Sequence, residues 1–158
     1  MTVKDKIVFT FDGEELALDI DAVDTVVESD RFFLIPHGPA FLKGLISLNS
    51  EAIAVLDLPL LLLKEKVDLP PPHRLVVVRL ENAALALYIG TAPLSFLWKE
   101  SIEQGRWKEE AGEYSVGTFQ VGKREVRVVD VAALMSLIER SIAARQGGKG
   151  AGDTLTTR

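Results

Sequence analysis

The feature that most constrains this chain is a strand–turn–strand pattern that it carries twice. Ile7, Phe9 and Phe11 alternate with Val8 and Thr10, Asp12-Gly13 marks a turn, and Leu16, Leu18 and Ile20 resume the alternation. Period-two apolarity on both sides of an Asp-Gly turn predicts a β-hairpin. Further on, Val76, Val78 and Leu80 alternate with Val77 and Arg79, a turn falls at Glu81-Asn82, and Leu85, Leu87 and Ile89 follow. The two segments superimpose without a gap: Phe9 falls on Val78, Phe11 on Leu80, Leu16 on Leu85 and Ile20 on Ile89.

A second unit is duplicated in the same order. Gly44 opens a strand-like run that turns at Asn49-Ser50, returns through Ile53 and Val55 and ends at Asp57. Gly117 opens another that turns at Gly122-Lys123, returns through Val126 and Val128 and ends at Asp130. Each aspartate stands where a strand pattern gives way to a helical one, so its carboxylate is placed to accept hydrogen bonds from unpaired helical N–H groups. Pro59 suits the first turn of the first helix, where no intrahelical donor is needed. Solenoids and propellers need at least three copies. Two copies of paired hairpins with short connections predict a mainly β fold of two small barrels side by side. Ile53, Val55, Val126 and Val128 should then point inward, with an apolar seam between the barrels. Approximate halves are 12–70 and 71–135, and end strands can cross between them.

The remaining segments frame these units. The Leu-Pro-Pro-Pro run at 69–72 is a stiff connector, unsuited to helix or central strand. Residues 99–113 are polar and irregular and read as a surface excursion; Trp98 just before them reads as a core anchor, while Trp107 stays open. Leu134, Ile138 and Ile142 recur every four residues and predict an amphipathic C-terminal helix to about Arg145. One domain over 1–145 and a flexible Gly- and Thr-rich tail over 146–158 complete the organisation.

Composition excludes several functions. The 158 residues contain no cysteine, which removes disulfides, thiolate metal sites and cysteine nucleophiles. The net charge of −5 argues against a nucleic-acid partner. The start, Met1-Thr-Val-Lys-Asp-Lys, has no apolar signal region, and the longest uncharged stretch is 17 residues broken by Gly90 and Pro93. Membrane insertion is not expected, and the mean hydropathy of +0.19 instead indicates a large core or an apolar partner surface. His37 and His73 both lie beside prolines in loop-like sequence, outside any i,i+4 ligand pair. The Gly-rich run at 147–152 follows a helix and lacks the Gly-Lys-Ser/Thr ending of a phosphate loop. Glu109, Glu110 and Glu113 do not alternate around a glycine as calcium ligands do. No nucleophile, base and oxyanion site assemble. Neither catalysis, a metal nor a cofactor is expected.

The order of motifs resembles the CheW family of chemotaxis coupling proteins. The residues that carry the resemblance are Phe9-Thr-Phe-Asp-Gly-Glu-Glu-Leu-Ala-Leu-Asp-Ile20, Pro39-Ala-Phe-Leu-Lys-Gly44, Val55-Leu-Asp-Leu58 and Gly122-Lys-Arg-Glu-Val-Arg-Val-Val-Asp-Val131. It implies two SH3-like five-stranded β-barrels with short helices and a C-terminal helix. It further implies a non-enzymatic cytoplasmic adaptor without cofactor, coupling chemoreceptor cytoplasmic tips to the regulatory domain of a CheA-type histidine kinase. The partner-binding positions it points to are Val23, Thr25, Phe41, Lys43, Asn49, Ser50 and Ala86. Three of the family's polar positions differ here. The hairpin typically reading Asn-Leu-Arg-Gly is Ser47-Leu48-Asn49-Ser50, an acidic position is Thr25, and a Gly-x-Val-Val-Asp stretch is Ala86-Leu87-Tyr88-Ile89-Gly90. Neutral Asn cannot supply the charged fork of Arg. The alternative is an SH3-like interaction module of another signalling complex that has lost chemoreceptor coupling.

Overall fold

Both expected hairpins form, and each is built into strands contributed by the other copy. The computed structural model describes residues 3–29, 31–64, 73–109 and 112–147. In the first copy β1 (Lys6–Phe11) and β2 (Glu14–Asp19) pair around Asp12 and Gly13, whose φ values of 48° and 85° give the left-handed turn that matches strand twist. A single 3-10 turn, Ile20–Ala22, leads to β3 (Val23–Ser29), then β4 (Leu42–Leu48), β5 (Glu51–Asp57) and α1 (Leu58–Leu63). The second copy runs β6 (His73–Leu80), β7 (Ala83–Gly90), β8 (Leu94–Leu97), α2 (Lys99–Glu103), β9 (Arg106–Lys108), β10 (Ser115–Val121), β11 (Arg124–Val129) and α3 (Val131–Gly147).

One sheet has the order β3-β6-β7-β5-β4 and the other β8-β1-β2-β11-β10-β9. The joins are parallel and equivalent: Val55 on β5 pairs with Ala86 on β7, and Val128 on β11 pairs with Ala17 on β2. The halves expected at 12–70 and 71–135 therefore do not divide the sheets, because the leading hairpins are exchanged. The cause is two-sided apolarity. Phe9, Leu16 and Leu18 enter the seam between the sheets, whereas Val8 and Ala17 enter a barrel interior with Phe119, Val126 and Val128. In the copy, Val76, Val78, Leu85 and Leu87 face the seam, and Leu75, Val77 and Ala86 pack with Ile46, Ile53 and Val55. A hairpin apolar on both faces must lie between two cores. Ile53, Val55, Val126 and Val128 are all buried, as expected of inward positions.

The two SH3-like barrels close in the same way. Register shifts fall at Gly44 in β4 and Gly117 in β10, where another segment crosses close by. A Cβ on Gly44 would stand 2.5 Å from the Phe33 carbonyl oxygen, and one on Gly117 would stand 2.6 Å from that of Lys108. Only glycine lets these crossings seat. The Asp57 amide donates to the Phe41 carbonyl at 2.7 Å and the Asp130 amide to that of Tyr114 at 2.9 Å. Both carboxylates cap their helices, accepting from Leu60 N–H at 3.2 Å and Ala133 N–H at 3.1 Å.

Several expectations change. Residues 99–113 are not wholly irregular: they contain α2 and the short β9, which gives its sheet a sixth strand. Trp98 is no core anchor but is 57% exposed, because it follows an edge strand; Trp107 instead packs on Phe119 with ring centroids 4.5 Å apart. His73 opens β6, and its Nδ1 shares a 3.2 Å hydrogen bond with the Tyr88 hydroxyl. Helix α3 continues through Gln146 and Gly147. The connector at 69–72, Glu110 and the tail from 148 lie outside the described residues. Among the described residues, no helix is long and apolar enough to cross a membrane.

The caps are separable in energy. Asp130→Ala should lower stability by about 1 kcal/mol, the usual worth of an N-cap. Asp57→Ala should lower it further, because Asp57 is buried and Lys43, whose ammonium stands 3.5 Å away, would lose its counter-charge. Urea unfolding of both variants measures the difference.

Candidate interaction surface

The β4–β5 turn is the site's geometric centre. A two-residue hairpin loop of this type needs positive φ at both central positions. Asn49 and Ser50 have φ values of 50° and 67°, and both side chains are exposed. Asn tolerates this conformation; Ser does so less readily, and neither carries charge.

A guanidinium nevertheless stands beside the turn, delivered by another strand. Arg79 on β6 is paired with Ala84 on β7. Arg79 Nη2 donates to Glu51 Oε1 at 2.8 Å, and its Nε donates to Asp24 Oδ2 at 2.8 Å. One side chain thus ties β3, β6 and β5 together at the barrel mouth. The hydrogen bonds to Glu51 and then Asp24 raise the Arg79 pKa further, and the bond from Arg79 holds the Glu51 carboxyl below its ordinary value. Two carboxylates therefore neutralise this cation within the chain.

Along the open side of β4 lies an apolar pair. Phe33 exchanges two backbone hydrogen bonds with Leu45, both 2.8 Å, which fixes its main chain against the strand. Its side chain is 68% exposed and that of Leu34 is 81% exposed. Burial of the pair against a partner would remove apolar surface from water.

Residues 5–139 match the sequence model of the CheW-like domain. The chain belongs to the CheW family. It is 24% identical over 139 residues to the chemotaxis protein CheW of Klebsiella aerogenes, covering 86% of this chain and 84% of that one. The crystal structure of the scaffolding protein TtCheW from Thermoanaerobacter tengcongensis superimposes with a TM-score of 0.67 at 20% identity, covering 81% of this chain and 89% of that one. A chemotaxis-type scaffolding or adaptor role goes with family membership.

In this CheW-like domain the seven sequence-derived positions separate. Asn49 and Ser50 are on the surface. Val23 packs against the seam, and Thr25 follows it across a register shift in β3, half-buried. Phe41 is half-buried against the seam. Lys43 is engaged internally, its ammonium 4.3 Å from the Tyr88 ring centroid as well as near Asp57. Ala86 is 0% exposed inside a barrel, beside Val55. Phe33 and Leu34 were missed because the run Phe32-Phe33-Leu34-Ile35 shows neither helical nor strand periodicity. An apolar run before Pro36 outside any periodic segment was the available signal. Among the described residues, no group of three or more His, Asp or Glu could hold a metal ion.

The Arg79 clamp has a pH signature. A carboxylate with a lowered pKa stabilises the fold above the usual carboxylate range and loses that contribution as pH falls through its own midpoint. Carbon-13 NMR titration of Glu51 should show a midpoint below the ordinary value, moving up toward it in Arg79→Gln.

Proposed function

We propose that this CheW-family protein is a cytoplasmic adaptor that docks the regulatory domain of a CheA-type histidine kinase through apolar barrel surface and contacts chemoreceptor tips only weakly. The observation that carries this reading is the exposed Phe33–Leu34 pair, with the Phe33 backbone hydrogen-bonded to Leu45 of β4. Hot spots of protein interfaces include aromatic anchors that are fully desolvated on docking, and burial of Phe33 does not depend on one guanidinium. The turn supports the weak receptor contact. In the resembled family its Arg serves partner contact as a charged, bidentate donor. Here the turn is Asn49-Ser50, and Arg79 is already held by Asp24 and Glu51. This feature also favours the second reading, an interaction module that no longer couples to chemoreceptors.

Calorimetry against an isolated kinase regulatory domain and a receptor tip tests both. Phe33→Ser with Leu34→Ser should weaken kinase binding at least ~10-fold while leaving the melting temperature close to that of the parent. Asn49→Arg with Ser50→Gly should strengthen receptor binding by roughly ten- to a hundredfold, since a hydrogen bond to a charged group is worth about 1.5–3 kcal/mol. Unchanged kinase affinity in the first variant would remove the docking assignment. Equal, tight receptor binding with and without the second would show that the turn does not set partner choice.

A further inference from the structure

Of the four sheet edges in the described residues, three are guarded and one is open. Edge strands are normally blunted by charge or covered, because their free N–H and C=O groups template further pairing. The β3 edge carries exposed Asp24 and Glu28, β9 carries exposed Arg106 and Lys108, and Phe33 bridges the β4 edge at Leu45. Strand β8 has neither guard. Thr91-Ala-Pro-Leu-Ser-Phe-Leu-Trp98 is uncharged, and Phe96 and Trp98 stack on one another, 6.0 Å between centroids, at 53% and 57% exposure. The fold itself does not ask for these rings. The registers pair Phe96 with Ile7 and Val26 with Val76, the duplicate of Ile7, so Val26 and Glu28 of β3 hold the equivalent places.

We propose that β8 pairs antiparallel with β8 of a second copy of this chain, about a two-fold axis through Ser95. The hydrogen-bond phase selects this register. Thr10 N–H donates to the Pro93 carbonyl at 3.2 Å, so in the alternating ladder Pro93, Ser95 and Leu97 turn their backbone groups toward β1. Leu94 and Phe96 turn theirs outward. Setting Leu94 opposite the partner copy's Phe96, and Phe96 opposite its Leu94, pairs all of these outward groups in four hydrogen bonds. Pro93, which lacks an N–H, falls where no donor is needed. Trp98 opens no further rung, because its carbonyl already accepts from Ser101 and Ile102. The stacked rings of each copy then lie over the half-buried Leu94 of the other, and no like charges meet within the ladder. Such a contact falls short of the roughly 1,000 Å² of a stable interface, so the dimer is a transient one.

The absence of cysteine gives a clean test. The two Ser95 residues would form a non-hydrogen-bonded pair, with Cα atoms about 4.5 Å apart, within the span of a disulfide. Ser95→Cys should oxidise rapidly to a covalent dimer, and far faster than Ser50→Cys, a remote exposed control. Sedimentation of the natural chain from about 10 μM to about 1 mM should show reversible dimer that Phe96→Lys weakens at least ~10-fold. Adding Phe96→Lys to Ser95→Cys should abolish the cross-linking while the circular dichroism spectrum persists. A monomer throughout with Ser95→Cys oxidising no faster than Ser50→Cys, or a dimer indifferent to Phe96→Lys, would overturn the proposal. So would protection of the Leu94 and Phe96 amides from hydrogen exchange only on addition of the kinase domain, which would assign the edge to a foreign strand.

Discussion

The rest of the structure depends on the parallel join between a hairpin of one copy and a hairpin of the other. At its centre a small residue faces a branched one, Ala17 beside Val128 and Ala86 beside Val55, and all four are buried inside the barrels. A larger side chain at either alanine would overpack a close interior, which tolerates added volume poorly. The exchange places four strands between two cores, with the seam on one face and a barrel interior on the other. Each barrel is completed by the other copy's hairpin.

Closure of each barrel follows from the same local chemistry applied twice. A crossing segment passes over a glycine, a strand bulges there, and an aspartate at the end of the return strand caps the following helix. The crossing has to come within hydrogen-bonding distance of the strand, which leaves no room for a Cβ. The aspartate's amide fixes the residue preceding the bulged strand, and its carboxylate begins a helix that lies on the apolar surface. Helix α3 contributes Leu134, Met135 and Ile138 to the seam and so seals it at one end.

Much of this was legible in the sequence because it is local. Hairpin turns, helix caps and the gapless duplication depend on residue type and spacing, and these appear in the structure where the pattern puts them. The identity of the paired strands was not legible. Period-two apolarity says that Val55 faces inward but not that Ala86, from the other copy, lies beside it. Trp98 was misread, and Trp107 left open, for a related reason. Trp107 finds Phe119 only through sheet pairing, and Trp98 is left outside because β8 ends its sheet. Arg79 illustrates the limit at the candidate surface: its guanidinium reaches the neighbourhood of Asn49-Ser50 only because β6 and β5 flank β7.

Duplication supplies an internal control for function. Where equivalent positions of the two copies agree, as at Gly44 and Gly117 or Asp57 and Asp130, the shared chemistry is what the barrel requires. Where they differ while the backbone does not, the fold has been satisfied by either residue and some other demand sets the choice. Phe33-Leu34 occupies the place of Lys108-Glu109, and Phe96 with Trp98 that of Val26 with Glu28. The first difference lies on one barrel and the second on the edge of the other. Apolar surface is thus exposed on both barrels, at positions where each copy shows that a polar or smaller residue would also fold. An adaptor holding more than one protein at a time needs that separation, since two partners bound at one patch would exclude each other.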